Sequence, residues 1–289
     1  MNDLNLYPES STSLWIQNTI NGNSGFTLKA KNALYCGASP FQKVEVFDTY
    51  RFGRVLCLGG TIVMVENEDT YHEMMVQPAV MMHPKPKKIC CIGGGDGGCL
   101  RELLKHDCVE EIVIVEIDAL VQETIATYFP DYAAGFEDSR VSVVIDDGYT
   151  YLASTEHTFD VILVDSYDPG GPVQSLETAD FHQVVAKSLG ADGIAVFQTD
   201  SPITRTGFLR STIQSVSPFF SCYKPYVCTI RSFPEGFYSF LLCTNSEPVL
   251  EMFDQKRYTT IESACTYYNM DIHTGAFLLP QFLKREVYS

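Results

Sequence analysis

The stretch Lys88-Ile89-Cys90-Cys91-Ile92-Gly93-Gly94-Gly95-Asp96-Gly97-Gly98 decides the fold. Its first half is an unbroken apolar run, the pattern of a strand buried on both faces. Its second half is a glycine turn. Gly93, Gly95 and Gly98 fit G-x-G-x-x-G after that strand and before a helical stretch from Cys99 to His106. Glycine permits the tight turn and lets the main chain approach a ligand. Glu116 ends the next apolar run, Ile112-Val113-Ile114-Val115, where an acid accepts hydrogen bonds from ribose hydroxyls. The fingerprint alone separates neither a dinucleotide from an adenosyl ligand nor either from an unliganded glycine turn.

Outward from this unit the same alternation continues. A helix from Ala119 to Tyr128 precedes a third strand, Val141 to Ile145, and a fourth, Phe159 to Val164. A helix from Ala179 to Leu189 leads to a fifth strand, Gly193 to Phe197, and Tyr223 to Ile230 and Phe237 to Cys243 suggest an antiparallel edge. Strands alternating with helices predict an α/β fold, a doubly wound and largely parallel Rossmann sheet. Upstream the pattern is different. Phe26 to Lys31 and Val44 to Asp48 alternate, and Arg54 to Leu58 and Thr61 to Val65 flank Gly59-Gly60, a hairpin signal. The expected organisation is a small N-terminal antiparallel β domain over 1–66 and a catalytic domain over 67–289. Thr70 to Met82 reads as the joining helix, stopped by His83-Pro84.

The chain has 289 residues and a formal net charge of −16, so it repels nucleic acid and anionic membranes. Acidity favours cationic substrates, although most of these charges are expected to form a solvated surface. The ten cysteines include no C-x-x-C pair, and free buried thiols in a reducing cytoplasm are expected. No apolar stretch reaches transmembrane length, and no H-x-x-x-H or clustered His/Cys pattern asks for a metal.

Asp96 is the odd residue of the turn, since a pyrophosphate there needs positive or neutral surroundings. It argues for a cationic ligand, or else for a helix N-cap. Asp147, in Ile145-Asp146-Asp147-Gly148, can accept from an adenine amino group or close a turn. Asp165 and Asp168, in Asp165-Ser166-Tyr167-Asp168-Pro169, follow the fourth strand on the same rim, with Pro172 stiffening the loop; an Asx-turn is the alternative. A nucleoside site with extra carboxylates suggests a reaction between a nucleoside sulfonium and a charged amine.

With these pieces on the page, the chain resembles the spermidine synthases, the polyamine aminopropyltransferases. The resemblance runs from Leu14-Trp15 to the C-terminus. It is carried by Phe41-Gln42, Gly53-Arg54-Val55-Leu56, Tyr71-His72-Glu73-Met74, Gly93 through Gly98, Leu100-Arg101-Glu102, Val115-Glu116-Ile117-Asp118, Asp147-Gly148, Asp165 through Pro172 and Tyr267-Tyr268-Asn269. The resemblance implies a methyltransferase-like Rossmann domain, no cofactor and no metal, and a homodimer or homotetramer. The co-substrate would be decarboxylated S-adenosylmethionine and the acceptor putrescine. Carried over by position, Gln42, Gly93, Gly95, Glu116, Asp147, Gly148 and Pro172 hold the adenosyl part, and Asp96 holds the aminopropyl ammonium. Tyr71, His72 and Asp168 contact the acceptor, Asp165 accepts its proton, and Asp200, after the fifth strand, is a candidate for its far end.

Four departures from the family pattern stand out. Leu58-Gly59-Gly60 replaces L-D-G, the acidic run Glu66 to Thr70 is one residue shorter, and Gly170-Gly171-Pro172 replaces a bulkier approach to G-P. Arg231-Ser232-Phe233-Pro234-Glu235-Gly236 stands for P-T-Y-P-S-G, with Phe233 in place of a tyrosine near the acceptor and Glu235 two residues on. Transfer to cadaverine, agmatine or spermidine, a methyltransferase disfavoured by Asp96, and a non-catalytic polyamine-binding protein are the alternatives.

Overall fold

Strand β6 (Lys88–Gly93) shows why an unbroken apolar run suits this sheet. Ile89 and Cys91 face one buried cluster, while Cys90 and Ile92 face another on the opposite side. The same split occurs in β7 (Glu111–Glu116) and β9 (Phe159–Asp165), so both faces of the sheet are covered. The computed structural model describes residues 13–20, 24–166, 174–232 and 237–288.

Among the described residues the larger sheet has seven strands in the order β11-β12-β10-β9-β6-β7-β8. Its remaining members are β8 (Val141–Ile145), β10 (Leu189–Gln198), β11 (Cys222–Thr229) and β12 (Phe237–Thr244). β10, β9, β6, β7 and β8 run parallel; β12 and β11 form the expected antiparallel edge. The chain winds outward from β6 through β7 to β8, then returns to the other side of β6 as β9. The winding reverses between β6 and β9, and ligands bind parallel sheets at such a switch point. The register there sets Gly93 opposite Asp165.

The N-terminal sheet orders β1 (Leu14–Ile20), β2 (Ser24–Ala38), β3 (Lys43–Thr49), β4 (Gly53–Leu58) and β5 (Thr61–Val65) sequentially and antiparallel. Gly59 and Gly60 have φ of 59° and 87°, the left-handed pair of a tight hairpin turn. One face buries Val44, Val46, Leu56 and Met64 against Val121 and Ile125 of α3 (Ala119–Tyr128). The alternation in the sequence exposed part of this sheet but not β1, nor the full length of β2. Two of the predicted helices are shorter: α2 spans Gly98–Leu103 and α6 spans Ala179–Lys187. After Leu103, three-residue bonds from Lys105 to Glu102 and from His106 to Leu103 tighten the chain out of the helix. The short helices α4 (Pro130–Ala133) and α5 (Gly148–Ser154), with α7 (Phe208–Val216), α8 (Gln255–Ile261), α9 (Met270–Ala276) and α10 (Gln281–Tyr288), complete the layers.

Helix α1 (Thr70–Met82) forms where the sequence places it and is buried almost all round. Pro78 lies inside it and brings no N–H, so the carbonyl of Met74 one turn back loses its helical donor. The Tyr226 hydroxyl, from β11, donates to that carbonyl at 2.8 Å. Glu73, wholly buried, accepts from the backbone amides of Thr266, Tyr267 and Tyr268 at 2.6 to 2.9 Å. The helix is thus tied to the chain's last quarter by polar groups in an apolar surround, where unpaired groups are expensive. Tyr226→Phe is expected to destabilise the protein by about 1–3 kcal/mol, the cost of an orphaned buried carbonyl. Adding Pro78→Ala returns an N–H to Met74 and should recover part of that loss, measured as a double-mutant cycle by urea denaturation.

Candidate active site

Four acids stand at or just beyond the carboxyl ends of four neighbouring strands: Asp165 after β9, Asp96 after β6, Glu116 after β7 and Asp147 after β8. All four line one cleft, with Gln42, Gly93, Gly95, Gly148 and Tyr71. The hairpin β4–β5 closes another wall through Leu58, Thr61, Ile62 and Val63. A side chain at position 93 would meet the Asp165 carbonyl at 2.1 Å from its Cβ, and φ is +81° there, so only glycine fits.

At the nucleoside end, Glu116 is 9 % exposed and accepts from the Gly95 amide at 3.1 Å and the Asp118 amide at 2.9 Å. Burial pushes its carboxyl up to about 7 against those two hydrogen bonds. Gln42 donates to Asp118 at 3.1 Å, a bond that orients its amide beside the cleft. Asp147 caps α5 by accepting from the Thr150 amide at 2.9 Å while lining the cleft, so the turn and ligand readings are compatible. Asp146 lines the cleft as well, unpredicted although it adjoins Asp147.

Asp165 and Asp96 stand amid a tyrosine, a thiol and a histidine. The Tyr71 hydroxyl donates to Asp165 Oδ1 at 2.5 Å, and the Cys99 thiol donates to Oδ2 at 3.2 Å. Asp96 accepts from the Gly98 amide at 2.8 Å, a helix-start contact, and its other oxygen lies 3.5 Å from His72 Nε2. His72 is 1 % exposed and its Nδ1 meets the Glu68 carbonyl at 2.9 Å. Burial opposes charge on that ring, but the Asp96 carboxylate overrides it and lifts the imidazole to about 9. The two carboxylates diverge. Burial and the Asp96 charge raise Asp165, whereas His72 and the Gly98 amide outweigh burial at Asp96 and hold it below its usual value. Opposite displacement of two neighbouring acids is the arrangement that separates an anion from a proton acceptor.

Not every expected site residue reaches the cleft. His72 supports Asp96 from behind rather than lining the cleft. Asp200 is 2 % exposed, bonds the Ser201 amide at 2.5 Å and is not among the residues lining the cleft. Asp168, Pro172, Phe233 and Glu235 lie outside the described residues. Sequence reasoning missed Glu68, Cys99 and Tyr238. Cys91, Cys99 and Asp165 offer ligand atoms within 4.8 Å of one another, a cluster that the scattered cysteines did not suggest. Burial keeps the Cys99 thiol far above its ordinary value, so it remains a hydrogen-bond donor to Asp165.

A doubly wound sheet with a nucleoside-type cleft at its switch point defines a methyltransferase-like Rossmann protein. The family described as "Spermine/spermidine synthase domain" matches residues 68–254, and the "Spermidine synthase tetramerisation domain" matches residues 14–66. The polyamine aminopropyltransferase of Thermoanaerobacter sp. (strain X514) is 36 % identical over 272 residues, covering 94 % of this chain and 97 % of that one. The polyamine aminopropyltransferase of Bacillus subtilis (strain 168) is 36 % identical over 271 residues, 93 % of this chain and 97 % of its own. A crystal structure of spermidine synthase with the transition-state analogue AdoDATO superposes with a TM-score of 0.91 at 33 % identity, over 95 % of both chains. The Thermotoga maritima spermidine synthase gives a TM-score of 0.90 at 33 % identity, over 95 % of this chain and 94 % of that one. The chain belongs to the spermine/spermidine synthase family. Among the described residues no helix is long and apolar enough to cross a membrane.

The His72–Asp96 pair carries a pH signature. The folded ring titrates at about 9 and the unfolded one at the ordinary value of 6.5. Its contribution to stability is therefore complete below 6.5 and fades as pH rises through 9. His72→Gln should narrow the stability gap between about pH 6 and about pH 10 relative to native protein, read from urea midpoints at the two values.

Proposed function

We propose that the chain transfers the aminopropyl group of decarboxylated S-adenosylmethionine to putrescine, giving spermidine and methylthioadenosine. The observation that carries this reading is the Asp96–Asp165 corner, two carboxylates of opposite displacement beside a nucleoside cleft. Family membership supports the transfer, and Tyr71-His72 and Asp165 through Asp168, which keep the family pattern, support putrescine as acceptor, against the departure at Phe233.

In this reading Glu116 takes the ribose hydroxyls and Asp147, with Gly148, the adenine amino group. Gln42, held by Asp118, Pro172 and the main chain at Gly93 and Gly95 complete the adenosyl site. Asp96, kept anionic by His72, holds the aminopropyl ammonium. An acceptor amine titrating near 10 arrives protonated and must become neutral before it attacks. Asp165, raised by burial and the Asp96 charge, is a stronger base than an ordinary carboxylate. An ordinary carboxylate titrates far below an amine, so in this reading Asp165 orients the nitrogen and passes the proton outward. Tyr71 fixes the Asp165 carboxylate, and Asp168 adds a second acceptor contact.

Nitrogen then attacks the carbon bonded to sulfur. The N–C bond forms, the C–S bond breaks and its electron pair stays on sulfur. Positive charge thereby moves from sulfur to nitrogen. Fixed carboxylates around the nitrogen stabilise that shift without reorganising, and the walls supply alignment. No cofactor or metal enters the scheme. The match to a tetramerisation domain supports association of subunits as a dimer or tetramer, and a cytoplasmic setting suits the free thiols.

Mass identification of products from putrescine, cadaverine, agmatine and spermidine tests the reading, with decarboxylated and ordinary S-adenosylmethionine as donors. Spermidine from putrescine and the decarboxylated donor is expected as the main product. A preference for another acceptor by more than about tenfold in kcat/KM overturns the putrescine assignment. Asp165→Asn preserves shape and removes charge, and should lower turnover on the order of 100-fold while donor affinity by calorimetry stays largely intact.

A further inference from the structure

Glu68 sits in the acidic run Glu66-Asn67-Glu68-Asp69, yet its side chain is not solvated: it is 2 % exposed and lines the cleft. One carboxylate oxygen accepts from the Ser232 hydroxyl at 2.9 Å. The other, Oε1, is buried and has no hydrogen-bond partner. Among the described residues no cation pairs with this carboxylate. Arg101 reaches only the Glu68 backbone carbonyl, at 3.1 Å, and gives its charge to Asp69 and Glu102. The same carbonyl meets His72 Nδ1, so the backbone is pinned from two sides and the side chain is held in place.

A buried acceptor oxygen without a partner, on a residue that lines the cleft, is a site for a donor, because its desolvation is uncompensated until one arrives. The chemistry of that donor is limited. An anion is repelled, and Gln42, Glu116 and Asp147, which line the same cleft, already suit the nucleoside. Glu68 instead bonds Ser232, and Tyr71, three residues on, donates to Asp165 and packs against the Tyr238 ring. Ser232 also lies in the segment in which the family tyrosine is replaced by Phe233. A primary ammonium, with three donors and a full charge, fits an open carboxylate oxygen beside a serine hydroxyl.

We propose that Glu68, positioned by Ser232, binds the non-reacting ammonium of the diamine acceptor and thereby selects diamines over monoamines. This inference rests on the aminopropyl-transfer reading. With Asp200 outside the cleft lining, Glu68 supplies the carboxylate for the far end of the acceptor.

The test compares kcat/KM for putrescine with that for n-butylamine, which has the same carbon chain and a single ammonium. Native protein should favour putrescine, and Glu68→Gln, which keeps the shape, should reduce that preference about 10- to 100-fold. Glu68→Asp retains charge on a shorter arm and should give an intermediate reduction. An unchanged preference in both variants overturns the proposal, even if melting temperature falls, because Glu68 would then be structural. A raised KM for the decarboxylated donor with an unchanged amine preference also overturns it, by assigning Glu68 to the donor's ammonium. Native protein that transfers to no amine overturns the functional reading beneath it, a result distinct from either of these.

Discussion

A buried imidazolium holds the reacting corner together. Two carboxylates at adjacent strand ends, Asp96 and Asp165, repel each other in a low-dielectric pocket, and burial alone would neutralise both. His72 resolves the conflict by standing behind one of them at 3.5 Å. It keeps Asp96 anionic, and the Asp96 charge in turn helps raise Asp165. That placement constrains much of the surrounding chain. A Cβ at position 98 would lie 2.1 Å from His72 Nε2, so the glycine that opens α2 exists partly to admit this ring. The β6–β9 register sets Asp165 opposite Gly93, beside the turn that carries Asp96. Removing one charge from such a cluster costs more than the pair is worth, because its partner remains buried.

Arg101 shows how the remaining charge is kept in order. Its guanidinium bonds the Glu68 carbonyl, Asp69 and Glu102, and lies 4.6 Å over the Tyr132 ring. A single planar cation thereby fixes the entry to α1, which carries Tyr71 and His72, from a position on α2. In a chain of net charge −16, the Arg101 cation is spent on posture. Among the described residues, one Glu68 carboxylate oxygen is left without a partner.

Much of this was legible from periodicity. Strands buried on both faces announce themselves as apolar runs, and the acids after them fall on one rim by topology alone. The joining helix was readable despite Pro78, because its apolar positions continue on either side. Long-range partners were not readable. Tyr226, which completes that helix, lies on β11 with no local mark of the task. Glu68 was hidden for a different reason. Asn67 adopts φ of +64°, a left-handed turn immediately before Glu68, whose side chain is buried. A stretch that reads as solvated surface therefore hides a cleft residue. Asp147 illustrates a third case, in which both readings of one aspartate hold together, since one oxygen caps a helix while the residue faces the cleft.

The proline in α1 has a consequence for the order of events during synthesis. The helix that bears Tyr71 and His72 is made early, but two of its needs are met late: the Met74 carbonyl by Tyr226, and the Glu73 carboxylate by the amides of residues 266–268. Contacts across such long sequence separations close slowly. A growing chain can shape the central strands while α1 still lacks its fastenings. Tyr71 and His72 are then among the last side chains to be locked, and a prematurely terminated chain would carry the rim of acids without the fastenings of α1. Competence for chemistry is in this sense an end-of-synthesis property, reached only when the final quarter of the polypeptide has packed back onto the first.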